Sequence, residues 1–343
     1  MRQSTYRRAA ARRRLRVAVL LLILTVLVIG SAVFLSRFSS PNTATNADIP
    51  ASTASGTTTT ATTVSVTTTT APPTAAFEHL PVSAPRLLVY DVWEQRVLYG
   101  KNEHAVCAPA SLTKLMTAIV ALEHADPETV LTAGNELYLL DPESSRAGIY
   151  LGYRMTLRQA LQGLLLKSGN DAAYVIAAQI GHRMDESLSG QAAIDLFCRK
   201  MTEKAAELGC TDTVFLNPDG IDREGHHTTA ADLLKITLHA LEQPLIAATV
   251  ATEQVTATLL SGQTKIWSNS NLLMRPDGQY TYDGTIGIKT GTTAEAGNCL
   301  ISCVTRGDRT VLCILLGAES DALRYAETIL LLDAAFGTTA ATA

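Results

Sequence analysis

The chain has 343 residues, of which 47% are hydrophobic and 5% aromatic, so it can bury a sizeable core. Its formal charge of −4 is unevenly distributed, because residues 1–37 contain eight arginines and no acid. Without those eight, 20 basic residues face 32 acidic ones, and residues 38–343 carry a charge of −12. A domain this acidic is not expected to bind nucleic acid, whose phosphates attract basic surfaces.

An apolar run of 19 residues, 17–35, follows seven of these arginines. In a helix this length spans about one bilayer core. A cationic flank ahead of such a run keeps the N-terminus in the cytoplasm. The alternative is a cleaved signal peptide, but the run is long for one and no small-residue cleavage pattern follows it. Residues 1–37 are therefore predicted to be a cytoplasmic tail and a single anchor in the lipid bilayer, with the rest of the protein outside the cell membrane.

Residues 38–76 consist mainly of Thr, Ala, Ser and Pro, as in SGTTTTATTVSVTTTTAPPTAA. Such a segment cannot bury enough apolar surface to offset the entropy lost on ordering. We therefore expect a disordered stalk between the anchor and a folded domain at 77–343.

Within that domain, PRLLVYDVWEQRVLYG predicts a β-hairpin at 85–100. Apolar residues at three- and four-residue spacing then predict helices at 111–123, 157–167, 171–181, 187–208 and 229–241. Strand patterns follow at 284–290, 300–304 and 311–316, before a last helix at 321–335. Strands at both ends with helices between them predict an α+β fold around one mainly antiparallel sheet.

The motif PASLTK places Ser111 and Lys114 one turn apart at the predicted start of a helix, on the same face. A serine hydroxyl needs a base to act as a nucleophile, and a lysine with a lowered pKa can serve. A helix-capping serine beside a solvated lysine is the alternative, so this motif is weak evidence alone.

A second motif, Ser168-Gly169-Asn170, interrupts two helical patterns, and its glycine would let two polar side chains point into a cleft. A third, Lys289-Thr290-Gly291, ends a strand pattern. A cation, a hydroxyl and a residue without a side chain suit the docking of an anionic, extended peptide.

The three motifs follow one another at intervals of 57 and 121 residues. Together they are the signature of active-site serine penicillin-binding proteins and β-lactamases. Over residues 84–336 the sequence resembles the low-molecular-mass, serine-type D-alanyl-D-alanine carboxypeptidases, in segments such as CAPASLTKLMTA, LLLKSGNDAAYVIA and GTIGIKTGTTAEAGNCLISCV. The resemblance implies a β-lactamase/transpeptidase-like fold: an antiparallel five-stranded sheet flanked by helices, with an inserted all-helical subdomain.

The resemblance also implies roles for individual residues. Ser111 is expected to be the acylated nucleophile, Lys114 its general base and Ser168 a proton relay to the leaving amine. Asn170 is expected to hold the substrate amide, and Lys289 to keep the site electropositive.

At the third motif, Thr290 and Thr292 are expected to meet the terminal carboxylate of the substrate. The backbone N–H groups of Ser111 and Thr292 would form the oxyanion hole. Gly291 leaves room for the substrate backbone. Arg324 stands where relatives place a guanidinium near the carboxylate, although an ordinary helix-surface arginine is an equal alternative.

The expected reaction removes the terminal D-alanine from peptidoglycan stem pentapeptides, with β-lactams as covalent inhibitors and no metal or other cofactor. A class A β-lactamase would need an added glutamate, and no E-x-x-L-N pattern lies between the second and third motifs. A zinc carboxypeptidase would need metal ligands at suitable spacing, and the adjacent pair His226-His227 is interpreted as surface loop. A non-catalytic β-lactam sensor or wall-binding protein is disfavoured by the intact motifs.

Two further features carry no assigned chemistry. The six cysteines of an exported domain could form disulfides or remain buried thiols, and no pairing follows from the sequence. The stretch Asn217-Pro218-Asp219-Gly220 is interpreted as a turn without a catalytic role.

Overall fold

The structure, a computed structural model, describes residues 75–337. Backbone contacts divide the chain after Ala71, and every described residue belongs to the unit that begins at Pro72. The predicted tail, anchor and almost the whole stalk lie outside the described residues. Among residues 75–337, no helix is both long and apolar enough to cross a membrane.

The described part of the chain contains nine strands. They are β1 (Arg86–Asp91), β2 (Arg96–Lys101), β3 (Val130–Thr132), β4 (Arg154–Thr156), β5 (Gln254–Thr258), β6 (Thr264–Ser268), β7 (Thr285–Thr293), β8 (Gly297–Arg306) and β9 (Arg309–Ala318). Five of them form one sheet in the order β2-β1-β9-β8-β7, and every neighbouring pair is antiparallel. Since β1 and β9 pair, the two ends of the domain are joined at the centre of the sheet.

The same part of the chain contains eight α-helices. They are α1 (Ala75–Glu78), α2 (Lys114–His124), α3 (Leu157–Leu166), α4 (Asn170–Met184), α5 (Gln191–Glu207), α6 (Ala230–Glu242), α7 (Pro244–Val250) and α8 (Asp321–Phe336). Side chains fix several of their ends. Thr156 and Gln159 form a capping box at α3, and α8 begins at the N-cap Ser320 and ends at Gly337 in the left-handed conformation.

The predicted α+β class, the β1–β2 hairpin, the three C-terminal strands and the six longer helices are confirmed. The helix predicted from residue 111 differs in detail, because a 3₁₀ turn, Ala110–Thr113, precedes the α-helix that begins at Lys114. The hairpins β3–β4 and β5–β6 and the short helix α7 had no counterpart in the sequence patterns.

Alternating residues of the central strands face two hydrophobic cores. Leu88, Ile301 and Ile314 pack with helices that lie between β2 and β7 in the chain. Their neighbours Leu87 and Leu315 face the second core, with residues of α1 and α8. The sheet is thus buried on both faces, one covered by the inserted helices and one by the terminal ones.

All six cysteines are free thiols, and five of them are buried. Cys299, Cys303 and Cys313 lie within strands β8 and β9, where burial raises the pKa of each thiol to about 12. They act as small apolar residues of the core.

The residues just before β1 are held by a carboxylate on α8. The carboxylate of Glu327, which is 1% exposed, accepts the backbone N–H of Ser83 at 2.8 Å and that of Ala84 at 3.1 Å. The hydroxyl of Ser83 donates to the same carboxylate at 2.6 Å. This contact holds the first strand of the domain against its last helix.

Replacing Glu327 by alanine is expected to lower the free energy of unfolding by about 2–3 kcal/mol, because the buried N–H of Ala84 loses its acceptor. Urea unfolding followed by circular dichroism measures the change. Glu186, an exposed glutamate between α4 and α5, is the control. Its replacement by alanine should change the free energy of unfolding by less than about 0.5 kcal/mol. An equal effect of the two substitutions would contradict a stabilising role for the contact of Glu327 with Ser83 and Ala84.

Candidate active site

The turn that carries Ser111 is wedged between two glycines. Ala110 has a φ of 48°, which is in the left-handed region. A Cβ atom on Gly220 would lie 1.8 Å from the carbonyl oxygen of Ala110, and one on Gly291 would lie 3.0 Å from the Ala110 Cβ. At Gly220 only a residue without a side chain permits this approach, and at Gly291 a side chain would crowd the turn that sets Ser111 against strand β7.

Lys114 is fully buried and lies beneath Ser111. Its ammonium donates to Ser111 Oγ at 2.7 Å, to Asn170 Oδ1 at 2.8 Å and to the carbonyl oxygen of Asp219 at 2.6 Å. Burial lowers the pKa of Lys114 to about 8, although the carboxylates of Asp219 and Asp171 oppose this change. In its neutral form the amine keeps two N–H bonds, to Asn170 and Asp219, and turns its lone pair toward Ser111 Oγ.

The second motif forms the turn between α3 and α4. Ser168 has a φ of 59°, and its hydroxyl accepts from Lys289 Nζ at 2.8 Å. The hydroxyl of Ser145 donates to the carbonyl oxygen of Ser168 at 2.6 Å, and Asn170 N donates to the carbonyl oxygen of Ser145 at 2.8 Å. These bonds hold the strained turn at the edge of the cleft.

The third motif lies on strand β7. Lys289 is 1% exposed and also donates to the carbonyl oxygen of Thr290 at 2.8 Å. Burial lowers its pKa well below the ordinary lysine value, and the charges of Lys114 and Arg324 lower it further. The hydroxyls of Thr290 and Ser270 lie 2.7 Å apart, so Ser270 orients the threonine.

Arg324 is buried, with 6% of its surface exposed, so the helix-surface alternative is wrong. It donates to the carbonyl oxygens of Gly291 and Cys299 at 3.2 and 3.3 Å and to the Thr292 hydroxyl at 3.1 Å. An ion pair with Asp321 fixes the guanidinium from the other side. Helix α8 thus places a cation at the end of the third motif.

The structure therefore brings all nine sequence-predicted site residues to one cleft between β7, the turn before α2 and the turn before α4. Within residues 75–337, His, Cys, Asp and Glu side chains form no group of three or more that could hold a metal ion.

Two contributions were missed from the sequence. The turn at 217–220 does contribute to the site, because the Asp219 carbonyl binds Lys114 and the Pro218 carbonyl accepts from Thr117 at 2.6 Å. A backbone acceptor leaves no side-chain signature. The sequence Pro218-Asp219-Gly220 indicated a turn, but not that this turn lies beside Lys114.

His226 is the second missed residue. The interpretation of His226-His227 as surface loop is wrong for His226, which is 4% exposed. Its Nδ1 accepts the N–H of Leu216 at 2.9 Å, so Nε2 carries the proton and donates to Thr113 Oγ1 at 3.0 Å. Burial lowers the pKa of His226 to about 4, which keeps the ring neutral. The ring joins the loop that carries Asp219 to the turn that carries Ser111.

The chain is similar to known proteins in both sequence and fold. A family model described as D-alanyl-D-alanine carboxypeptidase matches residues 66–320. The D-alanyl-D-alanine carboxypeptidase DacF of Bacillus subtilis is 32% identical over 248 residues, which cover 70% of this chain and 59% of that protein. This chain therefore matches less than two thirds of that relative's length.

Two solved structures share the fold. The DD-transpeptidase of Streptomyces K15 has a TM-score of 0.69 at 30% identity and covers 75% of this chain and 98% of its own. Penicillin-binding protein D2 of Listeria monocytogenes, in its cefotaxime-bound form, has a TM-score of 0.62 at 28% identity, with 75% and 98% covered. The predicted β-lactamase/transpeptidase-like fold is confirmed.

The pKa of Lys114 predicts how the reactivity of Ser111 depends on pH. Since only the neutral amine accepts a proton, acylation of Ser111 by a fluorescent penicillin should rise with pH to a plateau, with a midpoint near pH 8. The Asp219 carboxylate favours the charged amine, so Asp219→Asn should move the midpoint to lower pH. Asp308→Asn, in the exposed β8–β9 turn, is the control. An upward or absent shift in Asp219→Asn would contradict this electrostatic coupling.

The adjacent histidines provide a matched pair. His226→Gln should slow acylation of Ser111 about tenfold, because two buried hydrogen bonds that position the Asp219 loop are lost. His227→Gln should change the rate less than about twofold, since the side chain of the half-buried His227 contacts the nearby carbonyl of Gly225, and its backbone bonds to Val214 are kept. Stopped-flow labelling at pH 8 compares them, and equal rates for the two variants would show that His226 does not position the site.

Proposed function

This chain belongs to the D-alanyl-D-alanine carboxypeptidase family of serine peptidases, and we propose that it removes the terminal D-alanine from peptidoglycan stem pentapeptides through an acyl-enzyme on Ser111. One observation carries the proposal. Ser111 Oγ lies 2.7 Å from the amine of a fully buried lysine whose pKa is lowered to about 8. A nucleophile and base in hydrogen-bond contact are the minimum that acyl transfer requires.

In the first step, Ser111 Oγ attacks the carbonyl carbon between the two D-alanines while its proton passes to Lys114. The carbonyl oxygen becomes an oxyanion, for which we assign the backbone N–H groups of Ser111 and Thr292 as donors. The close approach of Gly291 to the turn supports this assignment, since a Cβ there would lie 3.1 Å from Ser111 N.

In the second step, the C–N bond of the tetrahedral intermediate breaks and the amine of the leaving D-alanine takes the proton that Lys114 received from Ser111. We assign Ser168 as the relay, because Lys289 holds its hydroxyl at 2.8 Å inside the cleft. Asn170 binds the amide of the acyl part, supported by its contact with Lys114 at 2.8 Å. A water molecule then attacks the ester carbonyl and releases Ser111, with Lys114 again accepting a proton.

The terminal carboxylate of the substrate is assigned to the hydroxyls of Thr290 and Thr292, beside the charges of Lys289 and Arg324. The burial of both cations supports this, because a carboxylate there meets little competing water. The hydroxyl of Ser270 positions Thr290 from below at 2.7 Å. A β-lactam carries a carboxylate and an acylating carbonyl in similar relation, so it should acylate the same serine.

We also propose that the enzyme works outside the cell membrane, tethered by residues 17–35. The support is in the sequence alone: an arginine-rich flank, an apolar run of bilayer length and a stalk before the domain. Peptidoglycan lies on that side of the membrane.

The test is release of D-alanine from a diacyl-L-Lys-D-Ala-D-Ala peptide by the protein and by Ser111→Ala. The substitution should reduce the rate on the order of a thousandfold or more, since the nucleophile is lost. Ser187→Ala, at an exposed loop position, should keep its activity. Mass spectrometry after penicillin treatment should show a covalent adduct on the protein but not on Ser111→Ala. Equal D-alanine release by Ser111→Ala would refute the assignment.

A further inference from the structure

The segment between β3 and β4 exposes an unusual amount of apolar surface. Tyr138 and Leu139 are 75% and 44% exposed, and Tyr150 and Leu151 are 59% and 54% exposed. These are four of the ten large hydrophobic residues exposed within residues 75–337, gathered in fourteen positions. A cluster of this kind marks a binding surface more often than scattered exposed residues do.

Three of these side chains, Tyr138, Tyr150 and Leu151, line a cavity of about 420 Å³, to which Leu137 and Ile149 also contribute. The volume is within the range of small-ligand pockets. One charged side chain lines the cavity, that of Arg146. We call this cavity the rim pocket.

The rim pocket adjoins the catalytic cleft through short hydrogen bonds. Ser145, next to Arg146, donates to the Ser168 carbonyl at 2.6 Å. Ala147 N and Ile149 N each donate to the buried carboxylate of Asp171 at 2.8 Å. Arg146 therefore lies between a residue bonded to the second motif and a residue bonded to the first turn of α4, so the pocket and the cleft share one wall.

The charge at the rim pocket is positive and uncompensated. Arg146 is exposed and makes no ion pair or hydrogen bond with any residue of 75–337. Lys265 adds a second cation, with Nζ 5.3 Å from the ring centre of Tyr150. Asp141 and Glu143 lie on the same loop, but neither carboxylate pairs with a cation there.

We infer that the rim pocket binds the part of the stem peptide that precedes D-Ala-D-Ala, through an aliphatic chain on its apolar wall and a carboxylate on Arg146. This rests on the proposed function, which places the acyl part of the substrate at Asn170, beside Ser145. Arginine binds carboxylates in a two-pronged geometry, and the tyrosines cover methylene groups.

Stem peptides offer two such carboxylates. One is the free carboxylate of a γ-linked D-glutamate, and the other is the distal carboxylate of a diaminopimelate at the third position. A lysine at the third position has a similar aliphatic chain but ends in an ammonium alone, which Arg146 and Lys265 repel, whereas the end of diaminopimelate carries a carboxylate beside its ammonium. The rim pocket therefore favours stems with a free carboxylate at one of these positions.

The experiment measures kcat/KM for D-alanine release by the full chain and by Arg146→Gln on four pentapeptides. They combine D-glutamate or D-isoglutamine at position two with diaminopimelate or lysine at position three. A short acyl-D-Ala-D-Ala substrate gives the reference rate. Arg154→Gln is the matched control, because Arg154 is also exposed and its side chain forms no ion pair within residues 75–337.

Arg146→Gln should lose about tenfold more activity on the carboxylate-bearing stem than on the short substrate, as expected for one charged hydrogen-bonded contact, mainly through KM. If Arg146→Gln abolishes the preference for D-glutamate over D-isoglutamine, Arg146 binds the D-glutamate carboxylate. If it abolishes the preference for diaminopimelate over lysine, Arg146 binds the diaminopimelate carboxylate. Arg154→Gln should match the unsubstituted protein on all substrates. The inference is overturned if Arg146→Gln loses equally on long and short substrates, or if no carboxylate changes the rate. Hydrolysis of the short substrate tests the proposed function by itself, because this substrate lacks the part of the stem that would occupy the rim pocket.

Discussion

The burial of the Lys114 ammonium is the constraint on which the site depends. A buried ammonium must find hydrogen-bond acceptors or give up its proton. Its three acceptors come from separate parts of the chain: the turn before α2, the start of α4 and the loop before α6. Closing the core around α2 and assembling the proposed general base are therefore one event. The same burial that demands acceptors lowers the pKa of Lys114 toward the range where it can act as a base.

A second consequence concerns charge. Lys114, Lys289 and Arg324 converge on one cleft, and the first and last of these lower the pKa of Lys289 after burial has already done so. A carboxylate bound at Thr290 and Thr292 would relieve the repulsion among the three cations. The proposed specificity for a C-terminal carboxylate thus follows from the same cations that surround the proposed nucleophile, although the domain as a whole is acidic.

The sequence predicted what depends on local spacing. Ser111 and Lys114 are three residues apart, so a helix places them on one face, and short apolar runs revealed β8 and β9. The family resemblance implied that Asn170 and Lys114 belong to one site, but their hydrogen bond across 56 positions was not predicted. Asp219 was missed because it acts through a carbonyl that every residue has. His226 was missed because its burial depends on contacts with Thr113 and Leu216, which no local pattern encodes.

The strained backbone of the site also depends on tertiary contacts and not on local sequence. Ala110 and Ser168 are two of the five non-glycine residues with positive φ in the described part of the chain. Ala110 directly precedes Ser111, and Ser168 carries the second serine hydroxyl of the cleft. Each such conformation costs on the order of 1–3 kcal/mol and persists only when its surroundings determine it. Gly220 and Gly291 enclose Ala110, and the bond from Ser145 holds Ser168. The hydroxyls are therefore fixed by packing outside the reacting groups, so the transition state meets donors and acceptors already in place.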